Sequence, residues 1–213
     1  RFSEVFYLVF LAGQGLTLDY LLINIISQGE RQMKYLVEPI RDKKQIKAVE
    51  NYLAQKSIRN KVLFCLGINS GLRVSDILSL NISDVRNKTH IELCEKKTGK
   101  IKKFPINKKL EKLLNEFTMN KPDNSPLFES QKQHRLDRSQ VYRVLNEACS
   151  ATGVNANIGT HTMRKTFGYH HYKQFKDVAM LQMIFNHSSP NITLRYIGID
   201  QDEIDESYNA FEL

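Results

Sequence analysis

The sequence predicts a mainly helical α+β domain that carries a small antiparallel β-hairpin or three-stranded sheet. Three observations favour this fold class. Apolar residues recur at spacings of three and four over most of the chain, the spacing changes to two between His90 and Ile106, and capping residues mark several helix ends. The 213 residues suffice to bury a core, and 41% of them are hydrophobic, as in ordinary globular proteins.

Apolar spacing and one glycine define the helices before residue 90. The first helix begins near Asp42 and places apolar side chains three and four residues apart, at Ile46, Val49 and Leu53. A second helix is expected from Asn60 to Ile68, and Gly71 ends it because glycine readily adopts the left-handed conformation of a C-cap. A third helix begins near Val74.

The period of two over residues 90–106 predicts a β-hairpin. The first strand contains Ile91, Leu93 and Glu95. Thr98-Gly99 supplies the turn, and residues 102–106 form the second strand. Four helices are expected after the hairpin, over Lys108–Met119, Ser139–Thr152, Thr160–Phe175 and Asp177–Phe185. Ser189 then caps a short helix over 191–196, with Pro190 at its first position.

The formal charge of +8 is concentrated in one stretch. Residues 86–112 contain ten Lys and Arg against three acids, whereas residues 200–213 contain six acids and no base. A basic stretch suits a polyanion such as double-stranded DNA, because each phosphate contact releases counterions. A solvated lysine-rich face explains the same charge. If DNA binds here, the expected contacts are Lys96, Lys100, Lys102 and Lys103.

The cysteines favour a reducing, cytoplasmic location without a disulfide framework. Cys65, Cys94 and Cys149 are odd in number and far apart, and they form no C-x-x-C pair. We therefore expect three reduced thiols that serve in packing, and no zinc knuckle.

The first 32 residues are atypically apolar. Gly13-Gln14-Gly15 interrupts them, so they predict neither a convincing transmembrane span nor a signal peptide. Met33 is the first methionine, and codons for Gly29-Glu30-Arg31 can spell a purine-rich ribosome-binding sequence. We expect residues 1–32 to lie upstream of the natural start or to be a remnant of a lost domain, with the main domain over 33–213.

Four motifs carry the chemistry: Gly71-Leu72-Arg73-Val74-Ser75-Asp76, Lys96-Lys97-Thr98-Gly99, His161-Thr162-Met163-Arg164, and His187 followed nine residues later by Tyr196. Each alone has an ordinary explanation, such as an arginine paired with the acid three residues on. Together and in this order they resemble the active-site set of the tyrosine recombinases, the lambda-type and Xer-type integrases, from about Met33 to Leu213. The resemblance implies a catalytic domain of the DNA breaking-rejoining type that needs no metal and no cofactor.

The residue types suit attack by a tyrosine on a phosphodiester. A phenol has a pKa of about 10, so it needs a cationic site to act as a nucleophile. Arginine suits that site because a guanidinium stays ionised and grips two phosphate oxygens. We expect Arg73 and Arg164 to form this clamp. His161 and Arg164 share one helix face, and Thr160 is expected to cap that helix.

The resemblance assigns the remaining roles. Tyr196 is the nucleophile and forms a 3'-phosphotyrosyl bond, His161 takes part in proton transfer, and His187 donates to a phosphate oxygen. Lys97 protonates the leaving 5' oxygen, with Lys96 and Lys100 as alternatives. Asp76, three residues after Arg73, is expected from its position to orient either the local helix geometry or Arg73. Religation then needs no ATP, in agreement with the lack of a Walker motif.

The expected partner is double-stranded DNA, on which four copies assemble by exchanging their C-terminal tail helices, about residues 202–213. The tail carries Ile204, Tyr208 and Phe211 at helical spacing, and packing on its own domain remains the alternative. The free chain is expected to be a monomer with no membrane association. Integrases of this family also carry a core-binding domain, for which 32 apolar residues are too few.

The chain departs from the family pattern at two places, and two other functions compete with recombination. Family members often have Leu-Gly-His where this chain has Phe185-Asn186-His187, and Arg-His-Thr-Phe where it has Arg164-Lys165-Thr166-Phe167. A type IB topoisomerase uses a similar residue set, and a DNA-binding regulator that has lost catalysis would keep the fold. Integration of a phage or another mobile element is the preferred context.

Overall fold

The computed structural model describes residues 37–94, 99, 101–199 and 207–211. The predicted segment 1–32 lies outside the described residues. So do three lysines of the hairpin tip, Lys96, Lys97 and Lys100. The unit that contains every described residue is Val37–Leu213. None of its described helices is both long and apolar enough to cross a lipid bilayer.

The first helices form where capping and apolar spacing predict them. Helix α1 (Lys43–Lys56) starts after Asp42, whose carboxylate accepts from the Lys44 N–H at 2.7 Å. Helix α2 (Ile58–Ser70) extends two residues beyond the predicted segment at each end and stops at Gly71, with φ of 63°. A short α3 (Val74–Ile77) follows.

The hairpin is two-stranded in the part of the chain that the structure describes. Strand β1 (His90–Cys94) pairs antiparallel with β2 (Ile101–Pro105), and Ile91 lies opposite Phe104. Ile91 and Leu93 point into the core, as the period of two predicts. The expectation that all three cysteines pack was wrong for Cys94, because its position in β1 turns the thiol towards solvent.

Five helices follow the hairpin: α4 (Lys108–Thr118), α5 (Arg138–Ala151), α6 (Thr162–Phe175), α7 (Val178–Phe185) and α8 (Pro190–Ile197). The predicted start of α6 was wrong by two residues. Thr162 donates its N–H to Gly159 O at 3.0 Å, and its hydroxyl accepts from the Gly159 N–H at 2.9 Å. This turn occupies residues 159–162, so His161 and not Thr160 is the N-cap of α6.

Helix α6 joins two groups of buried side chains. The main core is built from α1, α2, α4, α5 and the hairpin, and a small cluster consists of Leu181, Phe185, Ile197 and Ile199. Close approach of α6 to α2 requires small residues, because a Cβ on Gly67 would lie 2.5 Å from Met163 Sδ. A Cβ on Gly168 would lie 2.6 Å from Ile197 on the other side. The two glycines therefore let α6 pack against both groups.

Glu50 is a buried acid on α1 with three lysines around it. Its carboxylate lies 3.3 Å from Lys47 Nζ, 3.3 Å from Lys109 Nζ and 3.9 Å from Lys61 Nζ. Burial by itself raises the pKa of the Glu50 carboxyl, but Lys109 and Lys47 outweigh burial and hold the pKa below its ordinary value. The ion pairs fasten α1 to α2 and α4.

Glu50→Gln is expected to lower the free energy of unfolding at pH 7 by about 1 kcal/mol, or the thermal midpoint by about 2–4 °C. A depressed carboxyl pKa stabilises the fold above the ordinary value of 4.5, and this contribution is lost as the pH falls through the lower folded value. Thermal unfolding of wild type and Glu50→Gln from pH 8 to pH 3 measures this contribution to stability. Glu116→Gln is the control, because Glu116 and its partner Lys112 are exposed. A difference that persists unchanged at pH 3 would contradict the ion-pair explanation.

Candidate active site

The first turn of α6 supplies three charged or titratable side chains. His161 is the N-cap residue, and the Lys165 N–H donates to the His161 carbonyl at 2.8 Å. Arg164 lies between them in the sequence. Residues three and four positions apart share a helix face, so these side chains converge on one side of α6.

Arg164 is buried, with 3% of its surface exposed, and its guanidinium is held by backbone carbonyls. It donates to Gly71 O at the end of α2 and to Phe185 O at the end of α7, the latter at 2.9 Å. Its guanidinium carbon also lies 4.3 Å from the centroid of the Phe185 ring. A buried cation is therefore fixed where α2, α6 and α7 meet.

Arg73 enters the site from the segment that follows α2. It is the N-cap residue of α3, and its Nη1 lies 3.8 Å from Asp76 Oδ2. Asp76 is almost fully buried, with 1% exposed. The buried carboxylate of Asp76 therefore lies beside the Arg73 guanidinium as an ion pair.

Tyr196 lies half-buried on α8 among aromatic rings. Its ring centroid is 5.5 Å from that of Phe185 and 5.0 Å from that of His187, both with edge-on geometry. Burial raises the pKa of the Tyr196 phenol, and the charges of Arg164 and Arg73 and a hydrogen bond from Arg164 oppose that rise. Both arginines therefore act on the same phenol.

His161 faces the Tyr196 hydroxyl. Its Nδ1 lies 3.2 Å from Tyr196 Oη, within hydrogen-bond distance. The His161 residue is exposed overall, but partial desolvation of its imidazole lowers its pKa, and the neighbouring charges of Arg164 and Arg138 lower that pKa further. Since the ordinary value is 6.5, the imidazole is mostly neutral at pH 7. A neutral imidazole accepts a hydrogen bond from the phenol and can take its proton.

His187 follows a left-handed turn at the end of α7. Asn186 adopts φ of 53° and ψ of 48°, a conformation that asparagine tolerates better than most residues other than glycine. The departure from Leu-Gly-His therefore keeps the turn. His187 Nδ1 lies 3.0 Å from Thr193 Oγ1, and the Thr193 hydroxyl also lies 3.3 Å from Ser189 O.

Five of the six predicted catalytic residues thus lie together: Arg73, His161, Arg164, His187 and Tyr196. The sixth, Lys97, lies outside the described residues, as do Lys96 and Lys100. Lys102 and Lys103 lie in β2, and Lys103 pairs with Glu92 across the strands at 2.7 Å. In the described ranges, no three His, Cys, Asp or Glu side chains cluster closely enough to hold a metal ion.

Two residues of this site were missed by the sequence analysis. Thr193 is fully buried and fixes the His187 ring, and Lys165 places its Nζ 5.1 Å from the centroid of the Tyr196 ring. A hydroxyl at a core-facing position of α8 was the available signal for Thr193. For Lys165, the only signal in the sequence was its departure from the family pattern.

Comparison with known families identifies the chain. Residues 41–203 match the model described as "Phage integrase family". The chain belongs to this family. It is 48% identical over 178 residues to the probable integrase/recombinase YoeC of Bacillus subtilis (strain 168), an alignment that covers 83% of this chain and 98% of YoeC.

More distant members of the phage integrase family are longer than this chain. The tyrosine recombinase XerC of Thermodesulfovibrio yellowstonii is 27% identical over 161 residues, which cover 71% of this chain and 54% of XerC. The XerD of Oceanobacillus iheyensis is 28% identical over 73% of this chain and 55% of its own length. The chain therefore spans about half the length of these Xer relatives.

Solved structures share the fold. The crystal structure of the XerA recombinase superposes with a TM-score of 0.67 and 21% identity, over 81% of this chain and 63% of that one. The catalytic domain of bacteriophage HP1 integrase gives a TM-score of 0.59 and 18% identity, over 81% of this chain and 95% of that one. The mainly helical domain with a two-stranded antiparallel sheet is the fold of integrase catalytic domains.

Arg164→Lys is expected to lower the free energy of unfolding by about 2 kcal/mol, or the midpoint by about 4–8 °C. A single ammonium group cannot reproduce the planar geometry by which Arg164 reaches both Gly71 O and Phe185 O. Thermal unfolding followed by circular dichroism measures the change. Arg195→Lys on the exposed face of α8 is the control and should leave the midpoint unchanged. Equal midpoints for wild type and Arg164→Lys would contradict the anchoring role.

Proposed function

We propose that this chain cuts and rejoins double-stranded DNA in site-specific recombination, with Tyr196 as the nucleophile. The observation that carries the proposal is the contact between Tyr196 Oη and His161 Nδ1 at 3.2 Å, beside two arginines that act on the same phenol. A structural tyrosine needs no neutral base at its hydroxyl and no cationic surroundings. A nucleophilic tyrosine needs both.

Cleavage is one substitution at phosphorus. The Tyr196 phenol gives its proton to His161 Nδ1, and Oη forms a bond to the scissile phosphorus. The bond from phosphorus to the 5' oxygen breaks, and that oxygen leaves with a proton as a hydroxyl group. The product is a 3'-phosphotyrosine. Attack by a 5' hydroxyl reverses each step, so rejoining consumes no ATP.

Two arginines and one histidine are proposed to hold the phosphate. The non-bridging oxygens gain negative charge in the transition state, and preorganised donors stabilise that charge most. Arg73 is restrained by Asp76, and His187 is restrained by Thr193. Arg164 already donates hydrogen bonds to two carbonyls and to the Tyr196 phenol, so its proposed contribution is a fixed positive charge. The bidentate grip is therefore assigned to Arg73.

The partner is supported by charge and by relatives. The basic stretch 86–112 includes the hairpin, and the family members with which the chain shares its fold include a XerH structure with its difH substrate and a lambda integrase bound to a COC' core site. A lambda integrase structure (residues 75-356) is described as bound to DNA, and the Tn1549 transposon integrase as in complex with transposon right end DNA. We assign the same class of partner to this chain, with integration or excision of a mobile element as the task.

Assembly on DNA is proposed to use the tail. Residues 207–209 are helical, and Tyr208 and Phe211 are 78% and 67% exposed, so these two side chains do not pack on their own domain. Large apolar side chains are also exposed on α7 and α8, at Met180, Met183 and Ile192. Docking of the tail on a neighbouring copy buries both sets. The resulting assembly is a homotetramer.

The nucleophile is tested with nicked suicide duplexes that carry a randomised central region. Wild type is expected to form a covalent protein–DNA adduct that survives a denaturing gel, and sequencing of the bound DNA identifies a cleavable site. Tyr196→Phe is expected to form none, because it lacks the attacking oxygen. Tyr142→Phe on the exposed face of α5 is the matched control and keeps the adduct. Lack of a wild-type adduct, or an equal adduct with Tyr196→Phe, refutes the mechanism.

Lys97→Ala is expected to slow cleavage about 100-fold or more, because the 5' oxygen leaves poorly without a proton. A duplex with sulfur in place of that bridging oxygen restores the rate, since a thiolate leaves without protonation. Lys96→Ala and Lys100→Ala are the matched controls and should lose little. Failure of the sulfur substrate to rescue Lys97→Ala removes the general-acid assignment, and rescue of a neighbouring lysine variant moves it there.

A further inference from the structure

Lys165 is a buried cation that the proposed chemistry leaves without a role. Only 6% of its surface is exposed. Within residues 37–94, 99, 101–199 and 207–211, no carboxylate forms a salt bridge with its ammonium group. Burial of an ammonium group is costly unless an interaction compensates it. The contact that Lys165 does make therefore requires an explanation.

Lys165 contacts the face of the Tyr196 ring. Lys165 Nζ lies 5.1 Å from the centroid of the Tyr196 ring, within the range of cation–π attraction. Lys165 stands four residues after His161 on α6, so both side chains approach Tyr196 from the same helix. His161 reaches the hydroxyl at 3.2 Å, and Lys165 covers the ring.

The segment before α1 packs against α6 next to Lys165. Ile40 donates its N–H to Thr166 Oγ1 at 2.9 Å, which fixes this segment against α6. Glu38, in the same segment, is the acid whose charge acts on Lys165. Burial lowers the pKa of Lys165, and Glu38 partly opposes that shift. The lysine is therefore held as a cation that titrates below its ordinary range.

We propose that Lys165 is a positioning residue that keeps a positive charge on the ring face of Tyr196 and thereby supports Tyr196 as the nucleophile. The inference rests on the proposed function. As the phenol loses its proton, negative charge spreads into the ring, so the attraction of the cation is greater in the transition state than in the ground state. Only such a differential interaction accelerates a step. Once Oη is bonded to phosphorus, the ring loses this charge and the attraction weakens again.

The test is the single-turnover cleavage rate on the duplex that the adduct experiment identifies, from pH 7 to pH 10. Lys165→Met keeps the volume and removes the charge, and it is expected to cleave about three- to tenfold more slowly at pH 7. Lys165→Arg restores most of the rate because it restores the charge. The ratio of the wild-type cleavage rate to the Lys165→Met cleavage rate falls towards one as the pH rises through the lysine pKa. The ratio of the Lys165→Arg rate to the Lys165→Met rate does not fall, because arginine stays charged.

The ratio isolates Lys165 because the other groups are common to both proteins. Those that face the Tyr196–Lys165 pair are Glu38, Arg73, His161, Arg164 and His187. Lys173→Met is the matched control, since Lys173 lies on the same helix 5.7 Å from the Tyr169 ring but is exposed. It should cleave like wild type.

Stability provides a second measurement. Lys165→Met removes a buried charge, so its thermal midpoint is expected to equal or exceed that of wild type while its cleavage rate falls. Lys165→Gln serves as a second neutral variant if Lys165→Met unfolds. Equal cleavage rates at pH 7, or a ratio that does not change with pH, overturn the inference while the wild-type adduct still supports Tyr196. No wild-type adduct overturns both.

Discussion

The buried guanidinium of Arg164 is the contact on which the rest of the site depends. It joins Gly71 O at the end of α2 to Phe185 O at the end of α7. Gly71 leads within two residues to Arg73, and Phe185 leads within two residues to His187. Both carbonyl oxygens would be buried without partners if Arg164 moved away, and an unpaired buried carbonyl costs more than its hydrogen bond contributes. One side chain therefore sets the spacing between the two segments that carry Arg73 and His187.

Loss of contact with water acts in opposite directions on the pKa values of the two groups between which a proton transfer is proposed, Tyr196 and His161. It raises the pKa of the Tyr196 phenol and lowers the pKa of the His161 imidazole, since the charged form of each is less stable away from water. The free site therefore favours a protonated phenol beside a neutral base. Arg73 and Arg164 oppose the rise at Tyr196, and the same charges add to the decrease at His161. The two arginines that are proposed to hold a phosphate therefore also favour the unprotonated form of His161.

Local signals in the sequence predicted most helix positions. The features that the sequence did not predict depend on contacts between residues far apart in the chain. Gly71 and Ser189 cap α2 and α8 as expected, and α1 begins next to Asp42 as predicted, because helix ends are decided by a few adjacent residues. The motifs also predicted that the five described candidate active-site residues would lie together. The burial of Arg164 was not predictable, since its partner Gly71 lies 93 residues away. The contact of Lys165 with Tyr196 was missed for the same reason.

The division of the apolar side chains into two groups has a consequence for how the site responds to damage. Tyr196 and His187 belong to the part that packs on the small cluster of Leu181, Phe185, Ile197 and Ile199, away from the main core. Regions with few buried contacts open at a lower free energy than the whole domain, by local unfolding. Tyr196 and His187 therefore depend on a smaller set of buried contacts than the rest of the domain does. A substitution in the small cluster bears first on the positions of these two side chains, whereas one in the main core bears on the folding of the whole domain.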